Sequence, residues 1–385
     1  MRLLCPALLF LLLPPGCHGH GAVVFPPPRQ AVDKNLAPWN GTVPAHPPNV
    51  ESKTGWCQVV NASTGKLSGQ NGQACFWFSN GCAVGCPACD GTSRGPIPGP
   101  GDGPATAPPT GIGRNKVGPN GVVCAASEST GAQPTMCDAE QRTVNVHAEC
   151  GSDEDWYFYS PWRAPGAAPL LDPCGVAGGH SGGDGAFGGI YVNTSHAKLG
   201  DRGTEVLPAT VPGAVWRPGQ DVEVTWAIEA NHAGGYAFRL CPKSGARLTE
   251  DCFQRTPLEF TGLQGLRWGG GPALGGVEIF FEGTTVDNGT TPPGSQWRKN
   301  PIPLMNCEAG LPGPCGQPAF PPKCTNHSMC TGMTDGDHTV SSMVIVDRVR
   351  IPDGLPGGDY ILGWRWDSEQ SNQIWTSCSD VTIRA

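Results

Sequence analysis

The chain of 385 residues carries 56 Gly and 40 Pro, about a quarter of its length, with 18 Cys and 12 Trp. Gly and Pro at this level argue against a helical protein, and the wealth of Cys and Trp argues against disorder. A net charge of −8 with only 15% charged residues argues against nucleic acid as a partner and against electrostatic docking on an acidic membrane.

The first predicted element is a targeting segment. Met1-Arg2 precedes an apolar run from Leu3 to Leu13, long enough for a signal-peptide core and too short to span a bilayer. Pro14-Pro15-Gly16 breaks it, and Cys17 and Gly19 supply the small residues three and one before a cut ahead of His20. This gives 1–19 as a signal peptide and 20–385 as one mature domain. A cut after Cys17 is the alternative. Removing 1–19 leaves an even set of 16 Cys, which in a secreted chain predicts up to eight disulfides. Sequons at Asn40, Asn61, Asn193, Asn288 and Asn326 fit secretion through a glycosylating route. With no second long apolar run and no C-terminal anchor signal, the expectation is a soluble, extracellular protein that acts as a monomer.

Residues 20–90 hold Trp, Cys and turn residues with little regular pattern. Residues 91–121 form a Gly/Pro-rich insertion, either a surface loop or an internal linker. Residues 150–200 place dense Gly around short aromatic runs such as 156–162. From Val222 to Glu229, apolar and polar residues alternate with period two, the signature of a half-buried strand. Asn231-His232-Ala233-Gly234-Gly235 breaks the pattern and Tyr236 to Leu240 resumes it, which predicts a hairpin with His232 at its turn. Met343 to Val346 is a short apolar run. Tyr360, Leu362, Trp364 and Trp366 fall on one face of a further strand, and Ile374 to Ile383 is the last. Short strands, many turns and disulfides point to an all-β antiparallel sandwich with long disulfide-stapled loops.

His20, as a freed N-terminus, offers its amine and an imidazole nitrogen in one chelating reach. A second imidazole completes a three-nitrogen set of the kind Cu(II) favours. The competing reading is a solvated terminus. His232, on a Gly-flanked turn at a strand end, is the second candidate, against a plain surface histidine. The remaining histidines (His46, His147, His180, His196, His327, His338) lack a matched partner. Cys82, Cys86 and Cys89 have metal-site spacing, but in a secreted chain they read as disulfide cysteines. Asp153-Glu154-Asp155 reads as a solvated loop rather than a hydrolytic acid pair. Most Trp are expected in the core, with Trp39 and Trp162, beside prolines, as the two that stand a chance of exposure.

Three segments carry a family resemblance. His20-Gly-Ala-Val-Val-Phe-Pro-Pro-Pro-Arg29, Glu229-Ala-Asn-His-Ala-Gly-Gly-Tyr-Ala-Phe-Arg-Leu-Cys-Pro242 and Asn372-Gln-Ile-Trp-Thr-Ser-Cys-Ser-Asp-Val381 resemble, in order, the start, second-histidine segment and last strand of lytic polysaccharide monooxygenases. The likeness is strongest to the invertebrate-type branch and the chitin-binding type-4 relatives. The cysteine-rich stretch from Gly72 to Cys89 is also similar.

The resemblance implies an immunoglobulin/fibronectin-III-like sandwich holding one copper per chain. His20 would give its amine and imidazole, and His232 the second imidazole. Trp375 falls where the family places an axial aromatic, usually Tyr or Phe. An indole cannot coordinate through oxygen, so that position would be shielded rather than ligated. Gln373 falls at the polar position that steers the oxygen species; such neighbours tune metals. The implied catalytic set is therefore His20, His232, Trp375 and Gln373, with His20 and His232 as metal ligands. The implied reaction is oxidative cleavage of an insoluble β-linked polysaccharide, chitin or cellulose, at C1 or C4. It needs an external electron donor and O2 or H2O2. The alternative from another class is a secreted, non-catalytic carbohydrate-binding glycoprotein on the same fold; a hydrolase is the third.

Overall fold

The computed structural model describes residues 20–37, 72–82, 161–179, 191–243, 247–268, 277–302, 343–369 and 373–384, with single positions or pairs at 39, 59–60, 67–68, 84, 89 and 245. Several predicted features lie outside the described residues: the 1–19 segment, the 91–121 insertion, Asp153 to Asp155, Cys86, five of the histidines (His46, His147, His180, His327, His338) and the sequons at Asn40, Asn61 and Asn326.

In chain order the strands are β1 (His20–Phe25), β2 (Val59–Val60), β3 (Leu67–Ser68), β4 (Trp77–Ser79), β5 (Val176–Ala177), β6 (Ala214–Trp216), β7 (Asp221–Ala230) and β8 (Gly235–Pro242). They continue with β9 (Glu259–Trp268), β10 (Val277–Phe281), β11 (Thr285–Val286), β12 (Trp297–Lys299), β13 (Met343–Arg350), β14 (Gly358–Asp367) and β15 (Ile374–Ile383). The α-helices among the described residues are single turns, α1 (Gly203–Val206) and α2 (Glu250–Gln254). Thr249 caps α2, its side chain accepting from Cys252 N–H.

Two antiparallel sheets form the sandwich. One runs β1-β7-β13-β9-β10; the other runs β11-β12-β8-β14-β15-β4-β5, with β6 added parallel to β15. The all-β sandwich read from the sequence is the fold observed. The alternating residues do what their period requires. Val222, Val224, Trp226 and Ile228 of β7 point inward and meet Tyr236, Phe238 and Leu240 of β8 with Leu362, Trp364 and Trp366 of β14. The opposite face of β14 is covered too, so Ile361 packs with Phe253 and Cys241, and Arg365 is buried in ion pairs with Asp367 and Glu250.

The predicted hairpin is corrected. β7 pairs with β1 and β13, and β8 pairs with β12 and β14. The two strands are consecutive but lie in opposite sheets, and residues 231–234 cross between them. Alternation shows that a strand has one apolar face; it does not choose the strand's neighbour. Here the two apolar faces turn toward each other across the core instead of lying side by side.

The suggestion that Trp39 and Trp162 are exposed is also corrected: both are buried, at 2% and 0%. Trp162 packs with Ala237, Val286 and Trp297, over Gly235, where a Cβ would lie 2.2 Å from its ring. Three disulfides are described: Cys82–Cys89, Cys174–Cys378 and Cys241–Cys252. The first confirms the disulfide reading for two of the three clustered cysteines. The second ties β15 to the 171–179 loop across 204 positions of sequence, the long-loop closure that constrains an unfolded chain most.

Candidate functional site

His20 opens β1, an edge strand of the five-stranded sheet. Its register partner on β7 is Ala230, with a bulge between His20 and Gly21. His232 follows two residues beyond Ala230, so the pairing sets the two histidines at the same pole of the sandwich. Both are buried. Gly21 is required by a close approach: a Cβ there would lie 3.0 Å from the Trp366 ring and 3.1 Å from the Ala227 carbonyl.

The His20 imidazole packs against two aromatic rings, Phe76 at 4.7 Å and Trp375 at 5.1 Å between centroids. Trp375 comes from β15 in the opposite sheet and is fully buried. It stacks on Phe78 at 4.1 Å and reaches Trp366 at 6.4 Å. Its indole N–H donates only, so at this position it is an apolar wall for His20. Two further contacts fix the strands that carry this pair. Val23 N–H of β1 donates to Ser377 Oγ (3.2 Å), and Arg29 makes a two-pronged pair with Asp380 of β15, both bonds 2.7 Å.

The His232 turn is held at nearly every backbone group. Asn231 Oδ1 accepts from Ala233 N–H (2.8 Å), an Asx turn of the kind that makes Asn a turn former. The same oxygen accepts from Asn300 Nδ2 (2.8 Å), and Asn231 Nδ2 donates to the Ile302 carbonyl (3.3 Å). The Trp366 indole donates to the Ala233 carbonyl at 2.6 Å. Glu369 N–H donates to the His232 carbonyl (3.1 Å), and Asn300 N–H to that of Gly234 (2.8 Å). Ala233 has φ +50° and Gly234 φ +77°, so two successive left-handed residues turn the chain from one sheet to the other. Gly234 has no room for a side chain: a Cβ would sit 2.0 Å from the Asp367 carbonyl oxygen.

Gln373 is buried at the entry to β15, and its carbonyl accepts from Ser368 N–H (3.3 Å). It thus lies just ahead of Trp375, bonded to the end of β14 through Ser368. Behind this segment, Asp367 accepts from Arg365 Nε (2.6 Å) and from Gly166 N–H (2.8 Å). Burial pushes the Asp367 carboxyl up, although the Arg365 guanidinium opposes it.

Of the four sequence-predicted site residues, His20 and Trp375 are in ring contact, and His232 and Gln373 stand on two segments joined through Ser368 and Glu369. Sequence reasoning passed over Phe76, Trp366, Asn231 and Glu369. The Asn-x-Ala-Gly pattern pointed to Asn231 as a turn former. Phe76 lies inside the cysteine-rich stretch already singled out. Nothing in the spacing of Glu369 marked it. Among the described residues, no group of three or more His, Cys, Asp or Glu gathers as a metal cage. His196, described and exposed, stays apart from this pole: its N–H donates to Thr194 Oγ1.

Comparison with known proteins gives the following. No curated protein matches the chain. Among solved structures, a family AA15 monooxygenase from Thermobia domestica, described in its Cu(I) state, is 15% identical over 45% of this chain and 63% of its own (TM-score 0.22). A chitin-binding domain from Burkholderia pseudomallei is 11% identical over 44% and 56% (TM-score 0.22). A family AA10 monooxygenase from Streptomyces lividans is 14% identical over 51% and 70% (TM-score 0.21). The chain thus spans under two thirds of the first two. The family model described as lytic polysaccharide mono-oxygenase, cellulose-degrading, matches residues 113–381. That range includes His232, Gln373 and Trp375 and begins after β1. Because this match extends over well more than half of its length, the chain belongs to the lytic polysaccharide monooxygenase family.

Proposed function

We propose that this chain is a secreted, copper-dependent enzyme that oxidatively cleaves an insoluble β-linked polysaccharide, chitin or cellulose, at C1 or C4. In this reading residues 20–385 act as one domain after removal of 1–19. Family membership supports the reaction class. The observation that carries the site is the β1–β7 register, which sets His20 beside Ala230 and so gathers His20 and His232 at one pole.

The donor set fits copper. Two imidazoles and an α-amine are neutral nitrogen ligands, the type Cu(II) favours in a tetragonal arrangement. A free His20 supplies the amine, whose ordinary pKa near 7.7–8.0 falls as it gives up its proton to a metal. Copper held there would supply the one-electron chemistry that activates O2 or H2O2, with an external donor as reductant. The protein's part is positioning and exclusion. Phe76 and Trp375 fix the His20 ring and keep water from its flanks. The hydrogen-bonded turn fixes His232. Trp375 sets an apolar ring beside His20 that offers no lone pair, and Gln373 brings a polar amide to the same segment.

Secretion rests on the expected signal peptide. Among the described residues no helix is long and apolar enough to cross a membrane. The described sequons, Asn193 and Asn288, are both exposed, as glycan acceptors must be.

The test is product analysis. Protein beginning at His20, loaded with copper and given a reductant with peroxide, is incubated with chitin and with cellulose. Oxidised oligosaccharides from one of them, read by mass spectrometry, are the expected result, and the position of oxidation assigns C1 or C4. Binding to the polysaccharide with no oxidised product would favour the non-catalytic carbohydrate-binding reading instead.

A further inference from the structure

The geometry points to Glu369 as a positioning residue for the His232 ligand, through its hold on the turn that carries that histidine. This inference rests on the two-histidine copper reading and extends it to a residue outside the predicted set.

Three neighbouring residues at the end of β14 grip three successive residues of the turn. Trp366 takes the Ala233 carbonyl (2.6 Å), and the Asp367 carbonyl packs where a Gly234 side chain would be. Glu369 takes both sides of the turn: its N–H donates to the His232 carbonyl (3.1 Å), and its Oε2 accepts from Gly234 N–H (3.4 Å). The first two contacts use an indole packed in the core and a backbone carbonyl. Glu369 alone of the three turns a carboxylate to the turn, and at 1% exposure it is almost wholly withdrawn from water. Burying a carboxylate is costly, and a turn alone can be closed by a neutral side chain such as Asn231.

The contacts bracket one residue. Gly234 N–H and the His232 carbonyl lie on either side of Ala233, whose left-handed φ of +50° is unusual for a residue with a Cβ. A residue that holds both groups, the His232 carbonyl through its backbone N–H and the Gly234 N–H through its carboxylate, fixes the direction in which the His232 Cα–Cβ bond leaves the turn. Residues that orient a metal ligand without touching the metal commonly change affinity by about 10–100-fold when removed.

The test compares wild type, Glu369→Ala, Glu369→Gln and His232→Ala, all beginning at His20, by Cu(II) titration and by the Cu(II) electron paramagnetic resonance spectrum. In Glu369→Ala, Cu(II) affinity is expected to fall by at least about tenfold, with a displaced copper hyperfine coupling. Glu369→Gln, whose amide oxygen can still accept from Gly234 N–H, is expected to restore both to near the wild-type values. A Glu369→Ala protein that matches wild type in affinity and spectrum overturns the inference. If that variant does not fold, Glu369→Asp carries the test, because it keeps the charge and draws the carboxylate back by one methylene. A displaced spectrum is then expected, and an unchanged one overturns the inference. Wild type that binds no copper, or His232→Ala that binds like wild type, is a failure of the two-histidine reading itself, and the role of Glu369 falls with it.

Discussion

The His20 imidazole and the Trp375 indole, carried by opposite sheets, sit 5.1 Å apart between ring centres. Trp375 is also stacked on Phe78 at 4.1 Å, so the wall beside His20 is built into the core and is not a mobile surface residue. What that buried ring contributes to packing can be measured. Trp375→Ala is expected to cost roughly 3–5 kcal/mol of stability, the usual range for a buried Trp truncated to Ala. Trp375→Phe, which keeps a ring against Phe78, is expected to cost clearly less. Urea denaturation of both variants checks the order. Equal losses would show that the ring contact carries little of the packing.

The His232 turn gives a second prediction. Gly234→Ala forces a Cβ to 2.0 Å from the Asp367 carbonyl oxygen at φ +77° and is expected to destabilise by at least about 2 kcal/mol. Ala233→Gly, at φ +50°, relieves a strained position while loosening the unfolded chain, and these effects offset. Its midpoint in the same denaturation is expected to stay close to wild type. A Gly234→Ala variant as stable as wild type would contradict the geometry given for this turn.

A third prediction concerns acid. Burial alone would raise the Asp380 carboxyl. Hydrogen bonds from Arg29, Thr210 and Lys243 and the Arg29 charge outweigh it and hold the group at about 2. An unfolded Asp titrates at roughly 3.9, so the folded state binds this proton less tightly. The stabilisation is therefore complete above about pH 4 and is lost as pH falls through about 2. Asp380→Asn is expected to lower stability at pH 7 and to flatten its dependence between about pH 4 and 2. Thermal melts across that window measure it. Wild-type and mutant curves that run parallel would refute the assignment.

Much of this was legible in the sequence, for reasons that particular residues make clear. β7, β8 and β14 announce themselves because alternate residues of each are the apolar ones that meet between the two sheets, and alternation records that directly, although the other faces of β8 and β14 are covered as well. The sequence predicts a β7–β8 hairpin because Asn231 to Gly235 looks like any turn. That it passes between sheets depends on which strands lie beside β1 and β14, a long-range fact that no local window contains. The prolines beside Trp39 and Trp162 point to exposure, but both rings are buried, and Gly235 leaves a space that Trp162 fills. The His20 partners split the same way. Trp375 was found through the family pattern of the last strand, whereas Phe76 belongs to a short apolar run without period. Glu369 follows Asp367 and Ser368 just past the end of β14 and looks like an ordinary polar loop position. Its role is visible only once the His232 turn is seen packed against it.

The central claim is that a free His20 and His232 form one metal site, and Cu(II) titration by calorimetry tests it most directly. Three proteins are compared: one beginning at His20, the same with His232→Ala, and one with Gly19 retained ahead of His20. The account expects one tight copper per chain in the first and a large loss of affinity in both others, because one lacks an imidazole and the other lacks the free amine. Weak binding by the first protein, or binding indifferent to both changes, would contradict it.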